Sequence, residues 1–141
     1  MTNPSGEPHF SSEARGVPKK PGRFVKISDI DAVEFVPGLR FRPVLGEMAM
    51  ANFVSFEPHT VAPTHVHEEE QIVVVLEGEL EFQIDGEIRT MRPGDVAVIP
   101  PWVRHGAHTL ESSCLEVDVF SPPRKTLVEH ARAVANRGSS P

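Results

Sequence analysis

PTHVHEEEQIVVVLEGELEF, residues 63–82, is the stretch whose reading decides the fold. His65 and His67 stand two apart immediately before a run rich in Val, Ile and Leu, and Gln71 follows at even spacing. Side chains alternate across a strand, so the two imidazoles and the amide are expected to face one side. Three metal-capable groups on one face of a barrel-type sheet make most of a coordination shell. A fourth is available downstream at His105. Gly78 supplies the turn that ends the run.

Working outward, the same texture continues in both directions. RFVKI, AVEFV, LRFRPVL, EMAMANFVSF, QIVVVLEGELEFQID, EIRTMR, DVAVIP and CLEVDVF are short runs of Val, Ile, Leu and Phe. They are separated by turn signals at Pro37-Gly38, Glu57-Pro58, Glu77-Gly78, Asp85-Gly86, Pro93-Gly94 and Pro100-Pro101. Roughly eight to ten short strands punctuated in this way indicate an all-β sandwich or barrel, and 14 prolines suit tight corners better than a helical bundle. Residues 1–22 are rich in Pro, Gly, Ser and charge and read as a flexible arm. Residues 23–125 read as the β-barrel. In 126–141, Leu127, Ala131 and Val134 fall at helical intervals, which predicts a short amphipathic helix before a disordered GSSP tail.

Composition narrows the function. A chain of 141 residues suits one domain with its own core. No apolar run approaches the ~20 residues that span a bilayer, and the first residues show no secretory h-region. Cys114 is the single cysteine, which excludes an intrachain disulfide and fits a cytoplasmic location. A net charge of −6 argues against nucleic acid or an anionic membrane as partner.

A lone strand histidine is ordinarily a packing or surface residue. The His65/His67 pair with Gln71 in phase goes beyond that, and RPGDVAVIPPWVRHGA places His105 just after a strand and a Pro-Pro corner. The acidic triplet Glu68-Glu69-Glu70 reads as a solvated loop, although a bulge would let one of the three replace Gln71. His108, in the loop-like HGAHTLE run, is a weaker candidate. His9, His59 and His130 look incidental. The segment LEVDVFSPPRK (115–125) is the second informative stretch. Alternation groups Leu115, Val117 and Val119 on one face and Glu116, Asp118 and Phe120 on the other. Two readings stand: an edge strand with solvated carboxylates, or a wall that presents Glu116, Asp118 and Phe120 to a cavity.

These motifs resemble those of the small single-domain cupins. The first cupin motif, G-x5-H-x-H-x3-E/Q-x6-G, is matched by His65, His67, Gln71 and Gly78. The second, running from Gly through P-x-G to His and Asn, is matched by Gly94, Pro100 and His105. Three positions depart: His59 replaces the leading Gly, Trp102 a second-motif Gly, and Thr109 the Asn. The resemblance spans about residues 40–121 and implies a double-stranded β-helix, or jelly-roll barrel. It also implies one divalent transition metal (Zn, Ni, Fe, Mn or Co) on His65, His67, Gln71 and His105. With neutral ligands only, such an ion keeps its full charge.

DVFSPPR is similar to a segment of those small cupins that ketonise unsaturated uronates from pectin and alginate breakdown. Carried over residue by residue, this resemblance implies acid–base work for Asp118, a carboxylate clamp at Arg124 and a substrate-facing ring at Phe120. Trp102 is expected either at the mouth or in a buried packing role. The expected function is a metal-dependent isomerase or lyase-like enzyme for a small oxygenated carboxylic acid such as an unsaturated uronate. An Fe-dependent dioxygenase and a non-enzymatic ligand-binding cupin are the alternatives. The implied partners are a small-molecule substrate and a second copy of the chain, as a homodimer.

Overall fold

The structure is a computed structural model that describes the backbone of residues 9–138 and side chains through residue 133. Among the described residues the strands are β1 (Val33–Val36), β2 (Leu39–Leu45), β3 (Met50–Phe56), β4 (Val61–His65), β5 (Glu70–Gly78), β6 (Leu80–Ile84), β7 (Glu87–Met91), β8 (Val96–Ile99), β9 (His105–His108) and β10 (Cys114–Ser121). One helix, α1 (Lys125–Gly138), follows. The all-β expectation is met. The strands form two antiparallel sheets, one of six in the order β1-β2-β3-β10-β5-β8 and one of four in the order β4-β9-β6-β7.

Alternation explains how the sheets close on each other. Val54 and Phe56 of β3, Val73 and Val75 of β5, Leu80 and Phe82 of β6, Ala97 and Ile99 of β8 and Cys114 of β10 form one core between the layers. Each such aliphatic or aromatic side chain contributes about 1.5–3 kcal/mol on full burial. A smaller cluster of Met50, Phe120, Leu127 and Ala131 seats α1 against the barrel. The helical spacing of Leu127 and Ala131 is therefore the packing face of α1, while the Val134 side chain and the tail from residue 139 lie outside the described residues.

Turn chemistry sets the register. Asp85 (φ 49°) and Gly86 (φ 89°) make a tight left-handed turn between β6 and β7, the geometry that matches strand twist in hairpins. Gly78 has φ 78°, and a Cβ there would fall 1.9 Å from the Ser113 carbonyl oxygen at the entry to β10. Gly78→Ala is accordingly expected to cost about 3 kcal/mol or more, read from the urea midpoint. A loss below about 1 kcal/mol would mean that the 111–113 loop can retreat.

Two readings need correction. RFVKI forms no strand; a single 3-10 turn at Ile27–Asp29 lies there, and Phe24 is fully exposed. HGAHTLE is not a loop: it begins with β9, which pairs with both β4 and β6.

Candidate functional site

His65, His67 and Gln71 do not lie along one strand. His65 ends β4 in the four-stranded sheet, Gln71 lies in β5 of the six-stranded sheet, and His67 occupies the connection between them. His65 pairs in register with His105 of β9. The ligand atoms of His65, His67 and His105 lie within 4.8 Å of one another. Convergence thus comes from a corner that crosses between layers rather than from the alternation of a single strand.

Each imidazole is held by its Nδ1. That atom meets the Pro63 carbonyl in His65 (2.7 Å), the Glu69 carbonyl in His67 (2.9 Å) and the Val103 carbonyl in His105 (2.8 Å). Carbonyl oxygens only accept, so Nδ1–H donates and the Nε2 lone pair is left facing inward. The Gln71 Oε1 stands 3.0 Å from the Nε2 atoms of both His67 and His105. Acceptors facing acceptors repel unless a proton or a cation lies between them.

Protons are disfavoured. Burial, then the nearby Arg124 charge, lowers the pKa of His67. Burial first, then the hydrogen bond to Val103 acting against it and the neighbouring His65 and His67, leaves that of His105 at about 4. Neutral imidazoles and an amide oxygen are a donor set suited to a divalent transition ion. Two donors at right angles around an ion with bonds of about 2.1 Å are about 3 Å apart, which is the spacing of both Gln71 contacts. The residues present therefore fit a metal.

β10 is not an edge strand. It runs between β3 and β5, and Glu116, Asp118 and Phe120 face inward. Together with His65, Gln71 and His105 they line a cavity of about 330 Å³, within the usual size range of small-ligand sites. Phe35, Phe41, Phe56 and Phe82 add aromatic wall, and Arg124 completes the lining. Arg124 lies over the Phe120 ring at 6.0 Å and 3.7 Å from Glu69. Burial raises the pKa of Asp118, while hydrogen bonding from Glu116 and Gln71 and the Arg124 charge hold it down. Burial, and then the Asp118 charge, pushes Glu116 well above its ordinary value. Both carboxyls are thus raised, Glu116 more clearly, and the two share a hydrogen bond.

The raised Glu116 value has a definite sign in stability. The folded state keeps a proton that the unfolded chain releases above pH 4.5, so this contribution is intact below that pH and is lost as pH rises toward the folded value. Glu116→Gln is expected to equal the parent near pH 4 and to exceed it in stability at pH 8. Parallel pH-stability curves for the two proteins would rule this out.

Glu69 belongs to the site although its triplet reads as solvated. It is buried at 2 % exposure, accepts the Lys125 backbone N–H at 3.0 Å and faces Arg124. An acidic side chain at the first turn of α1 suits the helix dipole, so Glu69 ties the His67 corner to the helix. Its even spacing from His67 was the only available signal. Glu68 and Glu70 are exposed, and Gln71 keeps its inward place. Asn52, opposite Asp118 in the β3–β10 register, also lines the cavity. Within EMAMANFVSF nothing marked it out except its phase.

Trp102 does not line the cavity and is not buried in packing. It is 66 % exposed, and its backbone N–H donates to the His67 carbonyl at 2.9 Å. Both positions where a motif Gly is replaced keep left-handed backbone, with φ 54° at His59 and 68° at Trp102. Thr109 holds its corner by accepting the Thr60 N–H at 3.0 Å and donating to the Glu57 carbonyl at 2.6 Å. Trp102→Gly should relieve strain and stabilise the fold by about 1 kcal/mol. Absence of any gain in thermal midpoint would show that the indole's remaining contacts offset it.

The family model described as "Cupin domain" matches residues 52–120. The pectin degradation protein KdgF of Dickeya dadantii (strain 3937) is 33 % identical over 72 residues, which are 50 % of this chain and 66 % of that protein. The chain thus spans slightly under two thirds of that relative. The solved structure of KdgF from Halomonas sp. is 34 % identical, with a TM-score of 0.72 over 76 % of this chain and 99 % of that one. An RmlC-like cupin from Shewanella frigidimarina is 27 % identical, with a TM-score of 0.70 over 76 % and 96 % of the two chains. With a jelly-roll of two antiparallel sheets, three histidines converging at one mouth and a full-length structural relative at this identity, the chain belongs to the cupin family and resembles KdgF within it.

Proposed function

We propose that this cupin is a metal-dependent isomerase that converts an unsaturated uronate monomer to its open-chain keto form. The observation that carries this reading is that Asp118 and Arg124 line the same cavity as His65, Gln71 and His105, whose two histidines cluster with His67. The likeness to KdgF proteins supports the substrate class.

His65, His67, Gln71 and His105 would hold the ion. When bound, a divalent ion there supplies Lewis acidity that stabilises negative charge on a substrate oxygen. The remaining work falls to the chain itself. Opening a 4,5-unsaturated uronate moves one proton and breaks one ring bond. The anomeric hydroxyl loses its proton, C1–O5 breaks as the C1 carbonyl forms, and the enol at C5 becomes a ketone when C4 gains a proton. Atoms and charge balance without a co-reactant. Asp118 is the inward carboxylate placed to take the first proton and return one. Arg124 holds the substrate carboxylate with two parallel N–H donors, and Phe120 keeps the guanidinium in place by lying beneath it. The aromatic wall excludes water, which strengthens both interactions.

The test is loss of double-bond absorbance when metal-loaded protein meets an unsaturated galacturonate or guluronate monomer. Steady absorbance at full metal occupancy would refute this substrate class.

A further inference from the structure

The floor of the cavity carries polar groups that the proposed reaction leaves unused. On β3 and β10 the inward rows read Met50-Asn52-Val54-Phe56 and Phe120-Asp118-Glu116-Cys114. Asn52 lies opposite Asp118, and Glu116 lies one step deeper, opposite Val54 on one side and Val75 on the other. Asn52 is 1 % and Glu116 3 % exposed. Nevertheless, among the described residues, both polar atoms of Asn52, Oε2 of Glu116 and Oδ1 of Asp118 find no hydrogen-bond partner.

Leaving a buried polar atom unpaired costs about 1–3 kcal/mol. Several such atoms together weigh heavily against a marginal fold stability. Hydrophobic replacements would stabilise the barrel, so these groups are better suited to something that enters the cavity than to the fold itself. Both Asn52 and Glu116 line it directly.

The chemistry of the free atoms selects the guest. Three are oxygen acceptors and one is an amide N–H donor. A carboxylate, which can only accept, would face two carboxyl oxygens and be repelled. A hydroxyl both donates and accepts, so it satisfies an acceptor and the Asn52 amide together. The rings of Phe56 and Phe82 beside the floor suit the C–H faces of a sugar ring. We infer that Asn52 and Glu116 form a deep subsite that recognises ring hydroxyls of the substrate while Arg124 holds its carboxylate, so that they determine specificity for polyhydroxy acids. This rests on the functional reading above for its substrate class, but not for the subsite itself.

Isothermal titration tests it with non-reacting acids offered in pairs. Galacturonate is compared with its 2-deoxy and 3-deoxy analogues, which lack hydroxyls that an unsaturated uronate keeps, and quinate with a deoxy counterpart, against the metal-loaded protein and the Asn52→Leu, Glu116→Leu and Glu116→Gln variants. The parent should favour the hydroxylated member at least about tenfold. Asn52→Leu and Glu116→Leu should bring the pair within about threefold, and Glu116→Gln, which keeps hydrogen-bonding capacity, should retain most of the preference. Glu116→Gln also serves if either leucine variant fails to fold. Preference surviving every folded variant, no preference in the parent, or no binding of any acid would each overturn the subsite. Preference in binding combined with no turnover of unsaturated uronates would refute the isomerase reading alone. Turnover without preference would refute the subsite alone.

Discussion

Asp118→Asn should lower kcat on an unsaturated uronate by roughly 10²–10⁴-fold while metal content stays at the parent level. The substitution keeps size and shape, removes the charge and the capacity to carry a proton, and turns one acceptor oxygen into a donor. Asp118 pairs in register with Asn52 and Val73 in the middle of the six-stranded sheet, so the change leaves the strand ladder untouched. Metal analysis and steady-state kinetics on the same preparation separate the two roles. A fall in metal content matching the fall in rate would make Asp118 a support for Gln71 rather than the proton carrier. A rate within threefold of the parent would remove Asp118 from the chemistry altogether.

His105→Ala should empty the site. His105 is 2 % exposed, held at Nδ1 by the Val103 carbonyl and directed at Gln71 through Nε2. Alanine removes a donor that nothing nearby replaces, and elemental analysis after dialysis should find metal reduced to background. Activity should fall by about a thousandfold or more, because Lewis-acid stabilisation of several kcal/mol goes with the ion. His65→Ala, at the open end of β4, tests the same point with less disturbance of the core. Retention of a full equivalent of metal in both variants would contradict the assignment.

Much of this was legible in the residues, and the exceptions have a common cause. Alternation in CLEVDVF correctly grouped Glu116, Asp118 and Phe120, but could not say whether their face met water or a cavity, because that depends on β3 and β5 flanking the strand. The HVHEEEQ run placed its three candidates on one strand, whereas a change of sheet between His65 and Glu70 brings them together. Periodicity reports a side chain's face within one element and is silent on what lies opposite. Asn52 escaped notice and Glu69 read as solvated for that reason, since their significance comes from Asp118 and Arg124, 66 and 55 positions away. Trp102 illustrates a different limit. Its left-handed backbone satisfies the geometry of the glycine it replaces, and that same geometry turns the indole outward.

The change of sheet at His65 also gives the ion a mechanical part. His65 and His105 belong to one layer, Gln71 to the other, and His67 to one of the corners linking them. An ion held by all four would act as a rivet through both layers at the open end of the barrel. Deeper between the layers, Val54, Phe56, Val75, Leu80 and Cys114 already pack into one apolar core. Loading and unfolding are then linked quantities: each tenfold rise in free metal above its dissociation constant adds about 1.4 kcal/mol to the folded state, concentrated where the two layers would otherwise part first.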